Sequence, residues 1–510
     1  MSHFQERLRA LAPELLNSIR RGIEKESLRV RPDGALADTP HPRPLGSALT
    51  HPHITTDFSE AQLELITGVH NAIDACLGEL AHIHQVVYRH IGGEVLWCAS
   101  MPCYLPAEEA IPIGQYGSSN VGRTKTVYRI GLAHRYGRRM QMISGVHYNF
   151  SVPETAWSAL PGKVGPNGGY LALIRNFRRH AWLLIYLLGA SPVVCSSFVA
   201  GRQHDLQPLK GGTLYRPHAT SLRMGPLGYQ SEAQGSLSVS YNSLDSYVAS
   251  LQRALSRPYA PYEAIGLRDG DGYRQLATSL LQIENEFYGT IRPKRSIRRG
   301  ERTLHALRER GVEYVEVRLL DLDPFSPIGI TAGTLRFLDL FLLHCLLRDS
   351  PPDTPEEIAA IGHNIHVVAA RGREPGVRLE RQADEVGLFE WGAQVLAECE
   401  PIAEALDRAH GGTAYRDELR GAVAALQDPG ILPSARILKE IEQEHCSSYV
   451  DFVLAQSLKH CDTLRNRPLP AGVEERFARL AEESLAEQRR IEAADRMDFE
   501  TYRQRYLALS

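Results

Sequence analysis

The chain has 510 residues, of which 43% are hydrophobic and 23% are charged, a balance that is ordinary for a folded protein. This length permits roughly three domains. The formal net charge of −3 gives no electrostatic case for binding nucleic acid or an anionic membrane surface. We therefore expect partners that are neither nucleic acids nor membranes.

The 8 cysteines are scattered along the chain, and none forms a C-x-x-C pair, so neither a zinc ribbon nor a thioredoxin-type site is supported. In a chain of this length they are typical of buried thiols in a reducing compartment. The first residues, MSHFQERLRALAPELL, lack the continuous apolar core and the cleavage site of a secretory signal. These features predict a cytoplasmic location.

In chain order, residues 1–22 predict a helix, and residues 23–330 mix strands with helices. Strands are predicted at 23–31, 54–56, 62–67, 143–152, 192–198, 236–241, 279–288 and 312–319. Helices are predicted at 71–91, 169–188, 243–256 and 333–348. Because strands and helices do not alternate regularly, we predict an α+β fold around a large, mainly antiparallel sheet rather than a doubly wound parallel sheet.

The uncharged stretch 181–201, AWLLIYLLGASPVVCSSFVAG, has the length of a membrane span. Gly189, Ser191 and Pro192 interrupt its second half. We interpret it as a buried helix that ends near Leu188, followed by a turn and a buried strand. The alternative is a membrane span, which would be the only one in the chain.

After about residue 350 the pattern becomes helical, and the proline-rich PPDTP at 351–355 marks the change. Helices are predicted at 354–370, 384–409, 413–426, 433–446 and 473–494. We therefore divide the chain into a first domain over 1–350 and a helical region over 351–510 that packs on it.

The segment GIEKESLRV places Glu24 and Glu26 in a short extended stretch, where a period of two puts both carboxylates on one face. Two like charges this close are unfavourable unless a cation neutralises them or both face water. Taken alone, the segment is explained better by a solvent-facing pair on an edge strand.

Other predicted strands repeat this arrangement, with polar groups on one face and apolar groups on the other. The polar sets are Gln62 and Glu64, preceded by Asp57 and Glu60; His147 and Asn149; Glu284, Glu286 and Tyr288; and Tyr314, Glu316 and Arg318. A sheet with one acidic face and one apolar face covered by helices is the simplest arrangement that satisfies all of them.

The residue types on that face indicate a chemistry. Carboxylates with one imidazole suit hard divalent cations, especially Mg²⁺ or Mn²⁺. The scattered cations Arg129, Arg223, Arg292, Lys294 and Arg318 suit phosphate or carboxylate groups beside the metal. Acids, arginines and Mg²⁺ together are typical of phosphoryl transfer.

One motif resembles a nucleotide-binding loop but fails as one. Residues 117–124, GSSNVGRT, match the P-loop pattern except that Arg123 replaces the lysine. The preceding IPIGQY is a poor buried strand, which a P-loop requires. We therefore expect any ATP to bind on the sheet, through metals and basic residues.

Longer strings carry a resemblance to a known family. RGIEKESLRV, GSALTHPHITTDFSEAQLELIT, QYGSSNVGRTKTVYR, MQMISGVHYNFSVP, LQIENEFYGTIRPKR and GVEYVEVRLLDLDPFSPIG resemble bacterial glutamate–cysteine ligase. The resemblance runs from about residue 19 to residue 340. It is sparser in the helical region, where SARIL at 434–438 and QRRIEAAD are similar.

The resemblance implies a glutamine-synthetase-like fold, an antiparallel sheet curved into an open funnel, with residues 1–350 as the catalytic domain. It implies ATP-dependent formation of γ-glutamylcysteine from L-glutamate and L-cysteine, the first step of glutathione synthesis, by a monomer. Glu24, Glu26, Glu64, His147 and Glu316 match the metal-binding positions of the family. Tyr128, Arg129, Gln141, Arg223, Tyr229 and Tyr288 match positions that line the amino-acid sites, and Arg318 and Lys294 match positions that meet the phosphates of ATP.

The reaction that the resemblance implies then suggests catalytic roles for named residues. We expect Arg318 to stabilise the moving phosphoryl group and Asp57 to accept a proton from the cysteine amine or to orient it. Arg129 or Arg223 would stabilise the tetrahedral oxyanion or hold the α-carboxylates. Two alternatives stay open at this point. One is a ligase of the same fold that uses another amine acceptor, and the other is a nucleotide-sensing protein without turnover.

Overall fold

The structure is a computed structural model that describes residues 3–162, 165–228, 232–235, 237–298, 300–382 and 384–508. Its strands are β1 (Arg20–Val30), β2 (Ile54–Thr56), β3 (Gln62–Ile66), β4 (Val95–Leu96), β5 (Val146–Ser151), β6 (Val193–Cys195), β7 (Gln207–Pro208), β8 (Thr213–Tyr215), β9 (Arg268–Asp269), β10 (Gly272–Tyr273), β11 (Ile291–Lys294), β12 (Tyr314–Leu320), β13 (Arg378–Arg381) and β14 (Asp384–Gly387).

The helices surround these strands and dominate the second half of the chain. They are α1 (His3–Ala10), α2 (Pro13–Asn17), α3 (Ile73–His90), α4 (Asn120–Tyr136), α5 (Glu154–Ala159), α6 (Gly165–Leu188), α7 (Glu232–Gly235), α8 (Leu244–Ser256), α9 (Ala260–Ile265), α10 (Thr303–Arg310), α11 (Ala332–Leu347), α12 (Pro355–Arg371), α13 (Leu388–His410), α14 (Ala414–Gln427), α15 (Pro433–Glu444), α16 (Tyr449–Asn466), α17 (Val473–Ala494) and α18 (Phe499–Ala508).

The main sheet has the order β11-β12-β5-β1-β3-β2, and β4 also pairs with β1. Each of these pairs is antiparallel, which confirms the predicted α+β fold with a mainly antiparallel sheet. The register sets Glu26 opposite Glu64 and Glu24 opposite His147. Because residues directly opposite each other in a sheet point to the same side, the register alone brings these polar groups together on one face.

The other face of the sheet is buried under helices. Ile23, Leu63 and Tyr148, which alternate with the polar positions, are fully buried there. Helix α6 packs on β11 and β12, α3 packs on β1 and β3, and α11 packs on α6. Helix α11 is buried along almost its whole length, as expected of a helix that is apolar on every side. Each leucine buried in this way stabilises the fold by roughly 1.5–3 kcal/mol.

The predicted helix over residues 1–22 is wrong in its second half. Helix α1 ends at Ala10, α2 begins at Pro13, and β1 already begins at Arg20. Proline starts the new helix because its missing N–H is not needed at the first helical position. The final residues of the predicted helix pair instead with β5, with Arg20 opposite Ser151.

The predicted strand over 279–288 is also wrong. Residues Glu284–Glu286 form one turn of 3₁₀-helix, and the carboxylates of Glu284 and Glu286 are buried in ion pairs. Glu286 accepts from Arg135 NH1 at 2.9 Å, and Glu284 pairs with Arg302. The predicted strand at 236–241 is absent from residues 237–241, whereas Ser236 lies outside the described part of the chain.

The interpretation of the stretch 181–201 is confirmed. Helix α6 ends at Leu188, and the short strand β6 follows and pairs with β8. Within the described ranges, no helix combines the length and the apolar character that a bilayer crossing requires.

The expectation of free thiols is wrong for two cysteines, because Cys103 and Cys195 form a disulfide between the loop after β4 and strand β6. Their Cα atoms lie 5.1 Å apart, within the range that a disulfide spans. The remaining cysteines are free, and all of them except Cys446 are buried.

The helices after residue 350 pack directly on the first part of the chain. Helix α12 packs on α6, α13 and α14 pack on α11, α16 and α17 pack on α3, and α18 packs on α4. The division at residue 350 stays a prediction.

Candidate active site

The polar face of the sheet carries a compact group of side chains, which we call the acidic cluster: Glu24, Glu26, Glu64, His147 and Glu316. His147 lies at its centre. Its Nδ1 is 3.3 Å from Glu24 Oε2 and 3.6 Å from Glu316 Oε1, and its Nε2 is 3.6 Å from Glu26 Oε1. The sequence prediction that these strands present their polar groups to one place is therefore consistent with the observed geometry.

Glu316 is the most deeply buried member of the cluster. Its Oε1 lies 3.0 Å from Arg318 NH1 and 3.4 Å from Lys294 Nζ. Burial alone would raise the pKa of this carboxyl, but Lys294 and Arg318 hold the pKa well below its ordinary value. Its second oxygen, Oε2, is buried without a hydrogen-bond partner among the described residues. An ionised carboxylate with an unpaired buried oxygen is a strong acceptor for a further cation.

Glu26 and Glu64 lie on the more crowded side of the cluster. Burial, reinforced by Asp57, raises the pKa of Glu26 to about 8, although Arg223 and Arg318 act against this. Burial and the neighbouring carboxylates of Glu24, Asp57 and Glu26 raise the pKa of Glu64 well above its ordinary value. A divalent cation would relieve this repulsion and keep both groups ionised at neutral pH.

The donor set fits a hard divalent cation. One ligand atom each from Glu24, His147 and Glu316 lies within 4.8 Å of the other two. Burial and the nearby Arg318 lower the pKa of His147, so the imidazole is neutral, which is the form that binds metals. Asn149 orients the cluster by donating to Glu24 Oε1 at 2.9 Å.

A second group of metal-ligand residue types does not resemble this one. Glu301, His305 and Glu309 lie at the surface beside and on α10. Arg310 already occupies Glu301 with two contacts of 2.7 Å, so a cation would have to displace an arginine.

Asp57 and Arg129 meet where α4 packs against the turn between β2 and β3. The Arg129 Nε donates to the Asp57 carbonyl, its NH1 donates to the Lys125 carbonyl at 2.9 Å, and its guanidinium lies 4.4 Å from the centre of the Tyr116 ring. This arginine therefore fixes the backbone that carries Asp57. Its predicted role at the oxyanion stays a prediction.

Two cavities adjoin the acidic cluster from different sides. The arginine cavity, a cleft of about 210 Å³, is lined by residues that include His147, Arg178, Arg223, Tyr288, Arg318 and Ile361. The strand-end cavity, about 530 Å³, is lined by residues that include Gly22, Glu24, Thr67, Asn149, Arg295 and Tyr314. The short contact between His147 and Glu24 places the cluster between the two cavities.

Three of the predicted substrate residues, Gln141, Arg223 and Tyr288, lie at or beside the arginine cavity. Gln141 donates to the Tyr288 hydroxyl at 3.2 Å. Arg223 is buried, donates to the Arg318 carbonyl at 3.1 Å and lies 3.7 Å from Asp321. Tyr128 lies on α4, where burial, followed by Glu286, raises its pKa well above the ordinary value. Tyr229 lies outside the described residues.

Lys125, which the sequence patterns did not single out, enters this region from α4. Its ammonium lies 5.2 Å from the centre of the Tyr116 ring, and its charge favours ionisation of Glu64. Burial, with Arg129 beside it, lowers the pKa of Lys125 to about 8. The spacing of four residues between Lys125 and Arg129 was the available signal, but it indicates a shared face only once α4 is recognised as a helix.

Comparisons with known proteins show the family of this chain. The sequence model of a family described as glutamate-cysteine ligase matches residues 6–368. The chain is 49% identical to the glutamate–cysteine ligase of Alcanivorax borkumensis, over 98% of this chain and 99% of that one. It is 50% identical to that of Azotobacter vinelandii, over 97% and 95%.

Solved structures give the same result for the fold. The glutamate–cysteine ligase of Francisella tularensis, a crystal structure in complex with AMP, superposes with a TM-score of 0.92 at 37% identity, covering 96% of this chain and 98% of that one. A bifunctional glutathione synthetase from Pasteurella multocida superposes with a TM-score of 0.70 at 26% identity, covering 93% of this chain and 57% of that one.

Proposed function

The chain belongs to the glutamate–cysteine ligase family, and we propose that it joins the amine of L-cysteine to the γ-carboxylate of L-glutamate at the expense of ATP. The product, γ-glutamylcysteine, is the first intermediate of glutathione synthesis. The observation that carries this proposal is the position of the acidic cluster between two cavities, because it lets a nucleotide and an amino acid meet at one charged centre.

The reaction needs an activated carboxylate, because oxide is a poor leaving group. An oxygen of the glutamate γ-carboxylate attacks the γ-phosphorus of ATP, ADP leaves, and a γ-glutamyl phosphate forms. The cysteine nitrogen then attacks the acyl carbon and loses a proton, and phosphate leaves with the electron pair of the C–O bond. Both steps move negative charge, so they depend on cations positioned in advance.

The acidic cluster fits Mg²⁺ or Mn²⁺, held by Glu24, Glu26, Glu64, His147 and Glu316. When bound, the cation would neutralise part of the negative charge of the phosphates. The support is a set of carboxylate oxygen donors with one neutral imidazole, together with the unpaired buried oxygen of Glu316.

The protein's own cations complete the phosphate site. We place the nucleotide in the strand-end cavity because it is the larger space and Arg295 lines it. Lys294 and Arg318, which flank Glu316, would contact the phosphates, and Arg318 would stabilise the phosphoryl group during transfer.

The amino acids would then occupy the side of the cluster that faces the arginine cavity. Arg223 would bind an α-carboxylate, and Tyr128, Gln141, Tyr229 and Tyr288 would line the rest of the site, with Arg129 beside them. Asp57 would take the proton of the attacking amine or orient it. The support for Asp57 is its charge, which acts on both Glu26 and Glu64.

The experiment that tests this function is product identification. Purified protein incubated with glutamate, cysteine, ATP and Mg²⁺ should release ADP and γ-glutamylcysteine in equal amounts. Omission of either amino acid should suppress ADP release. A panel of other amines should react poorly, and a clear preference for an amine without a thiol would overturn the cysteine assignment while leaving the ligase class intact.

We further propose that the enzyme acts as a monomer in the cytoplasm. Sedimentation equilibrium should give one mass close to 56.8 kDa across a wide concentration range. A concentration-dependent increase in mass would contradict the monomer.

A further inference from the structure

The carboxy-terminal segment, residues 473–508 with helices α17 and α18, lies beyond the residues that the family model matches and yet contacts the loop that leads into α4. From α17, Glu492 Oε1 accepts from Ser118 N at 2.9 Å. Just after α17, Asp495 Oδ2 accepts from Asn120 N at 2.5 Å, and its Oδ1 accepts from Asn120 Nδ2 at 2.7 Å.

These contacts explain why the GSSNVGRT motif resembles a phosphate-binding loop. Its backbone amides do form an anion-binding site at the start of a helix, but the anions are the protein's own carboxylates. Gly117, at a φ of +84°, lets the chain approach them, because a Cβ atom there would lie 2.2 Å from Glu492 Oε1. The motif therefore marks an internal anchor for α4.

The anchor continues along α4 towards the site. Phe499 of α18 packs with Val127 and Leu276, and Tyr128 packs against this group. One turn from the anchor, Arg123 lies with its guanidinium 4.3 Å from the centre of the Phe499 ring. Arg129, farther along the same helix, holds the backbone of Asp57.

We propose that Asp495 is a positioning residue for the amino-acid site, acting through α4 on Tyr128, Arg129 and Asp57. The inference rests on the proposed function, because it takes those three residues to contact the amino acids. Within the described part of the chain, the side chain of Asp495 hydrogen-bonds to the start of α4 and to no member of the acidic cluster. Its two charge-assisted hydrogen bonds fix where α4 begins, and a small shift of a helix displaces every side chain it carries.

Because of this placement, the anchor should affect the binding of the amino acids more than the binding of ATP. Glu24, Glu316 and Lys294 lie on β1, β12 and β11 of the main sheet, whereas Tyr128 and Arg129 lie on α4 itself. Loss of the anchor should therefore raise the KM for cysteine or glutamate without an equal effect on the KM for ATP. A residue that merely stabilised the fold would lower the amount of active enzyme and leave all three KM values unchanged.

The test is steady-state kinetics of full-length Asp495→Ala, with Asp495→Asn as the conservative variant. Asp495→Ala should raise the KM for at least one amino acid about tenfold or more, with the KM for ATP within about twofold of wild type. Asp495→Asn keeps one acceptor oxygen and should recover part of the loss. Asn120→Ala removes the side-chain donor but keeps the backbone N–H that also donates to Asp495, so it should reproduce part of the defect, and the double variant should be no worse than Asp495→Ala.

The matched control is Glu483→Ala, which removes an exposed carboxylate from α17 that lies 3.8 Å from the Nε atom of the exposed Arg479. It should keep all three KM values. Unchanged amino-acid KM values in both Asp495→Ala and Asn120→Ala, or an equal rise in the KM for ATP, would overturn the proposal. If Asp495→Ala does not fold, Asn120→Ala decides alone. Absence of γ-glutamylcysteine from the wild-type reaction would instead overturn the proposed function.

Discussion

At the scale of single residues, the acidic cluster contains carboxylates whose surroundings shift their pKa values in opposite directions. Lys294 and Arg318 keep Glu316 ionised, whereas burial and neighbouring acids favour the protonated form of Glu26. A bound divalent cation would satisfy both conditions at once, because it attracts the charge of Glu316 and displaces the proton of Glu26. The two positions should therefore respond differently to the same substitution.

We expect Glu26→Gln and Glu316→Gln each to lower kcat by about 100-fold or more, because each removes a charge that acts in phosphoryl transfer. In metal-free protein, however, only Glu316→Gln should lower the melting temperature, since it leaves Lys294 and Arg318 without their buried counter-charge. Differential scanning calorimetry beside activity assays measures both effects, and Glu309→Gln at the surface is the control. Unimpaired turnover in either variant would show that the reaction does not need the carboxylate at that position.

The residues of the cluster could be predicted from sequence because a period of two is short and local. Alternation placed Glu24 with Glu26 and aligned Glu316 with Arg318, and the structure keeps both alignments on one face. Lys125 could not be found in this way. Its role depends on the direction of a helix relative to the sheet, and no local pattern encodes that direction.

At the scale of elements, the sheet is tied to the helices behind it by one buried polar network. Asp339 of α11 accepts from Arg21 Nε at 2.9 Å and from Arg21 NH2 at 2.7 Å, and Tyr148 donates to it at 2.5 Å. Arg21 and Asp339 are both fully buried. This network fixes β1 and β5, the two central strands of the acidic cluster, against α11.

We expect Asp339→Ala to lower the free energy of unfolding by about 3–5 kcal/mol, because it leaves the buried Arg21 charge unpaired. The control is Asp349→Ala, which removes an exposed partner of Arg7 and should cost less than about 1 kcal/mol. Urea unfolding curves followed by circular dichroism give both values. Equal effects of the two substitutions would show that the buried network does not stabilise the fold as described.

Elements could be predicted where their own residues show a clear hydrophobic pattern. They could not be predicted where contacts with distant residues determine their structure. The strands β1, β3 and β5 follow from alternation alone. Helix α4 was missed because NVGRTKTVYRIGLAHRY has no apolar stripe, and its start is held by Asp495 from the other end of the chain. The segment around Glu284 alternates like a strand, but Arg135 and Arg302 draw its acids into a turn.

At the scale of the whole molecule, helices from after residue 350 pack on the first part of the chain, and Trp391 of α13 contacts the buried His180 of α6. Burial, followed by the nearby His344, lowers the pKa of His180 to about 3. An unfolded histidine binds a proton near pH 6.5, so acid favours the unfolded chain between pH 6.5 and about 3. Stability from His180 is therefore complete above pH 6.5 and is lost as the pH falls.

We expect a His180→Gln variant, which cannot titrate, to lose less stability than wild type on going from pH 6.5 to pH 4.5. Comparing the two proteins cancels the opposing titration of the cluster carboxylates. Thermal unfolding at several pH values in that window measures the difference. Parallel melting curves for the two proteins would contradict the buried, neutral state of His180.

The central claim is that ATP activates the γ-carboxylate of glutamate beside the acidic cluster, and one isotope measurement tests it most directly. Glutamate labelled with ¹⁸O in its γ-carboxylate is incubated with cysteine, ATP, Mg²⁺ and enzyme, and the released phosphate is analysed by mass spectrometry. Because the attacking carboxylate oxygen leaves with phosphate, each turnover should transfer one ¹⁸O to inorganic phosphate. Formation of γ-glutamylcysteine with unlabelled phosphate would contradict the account.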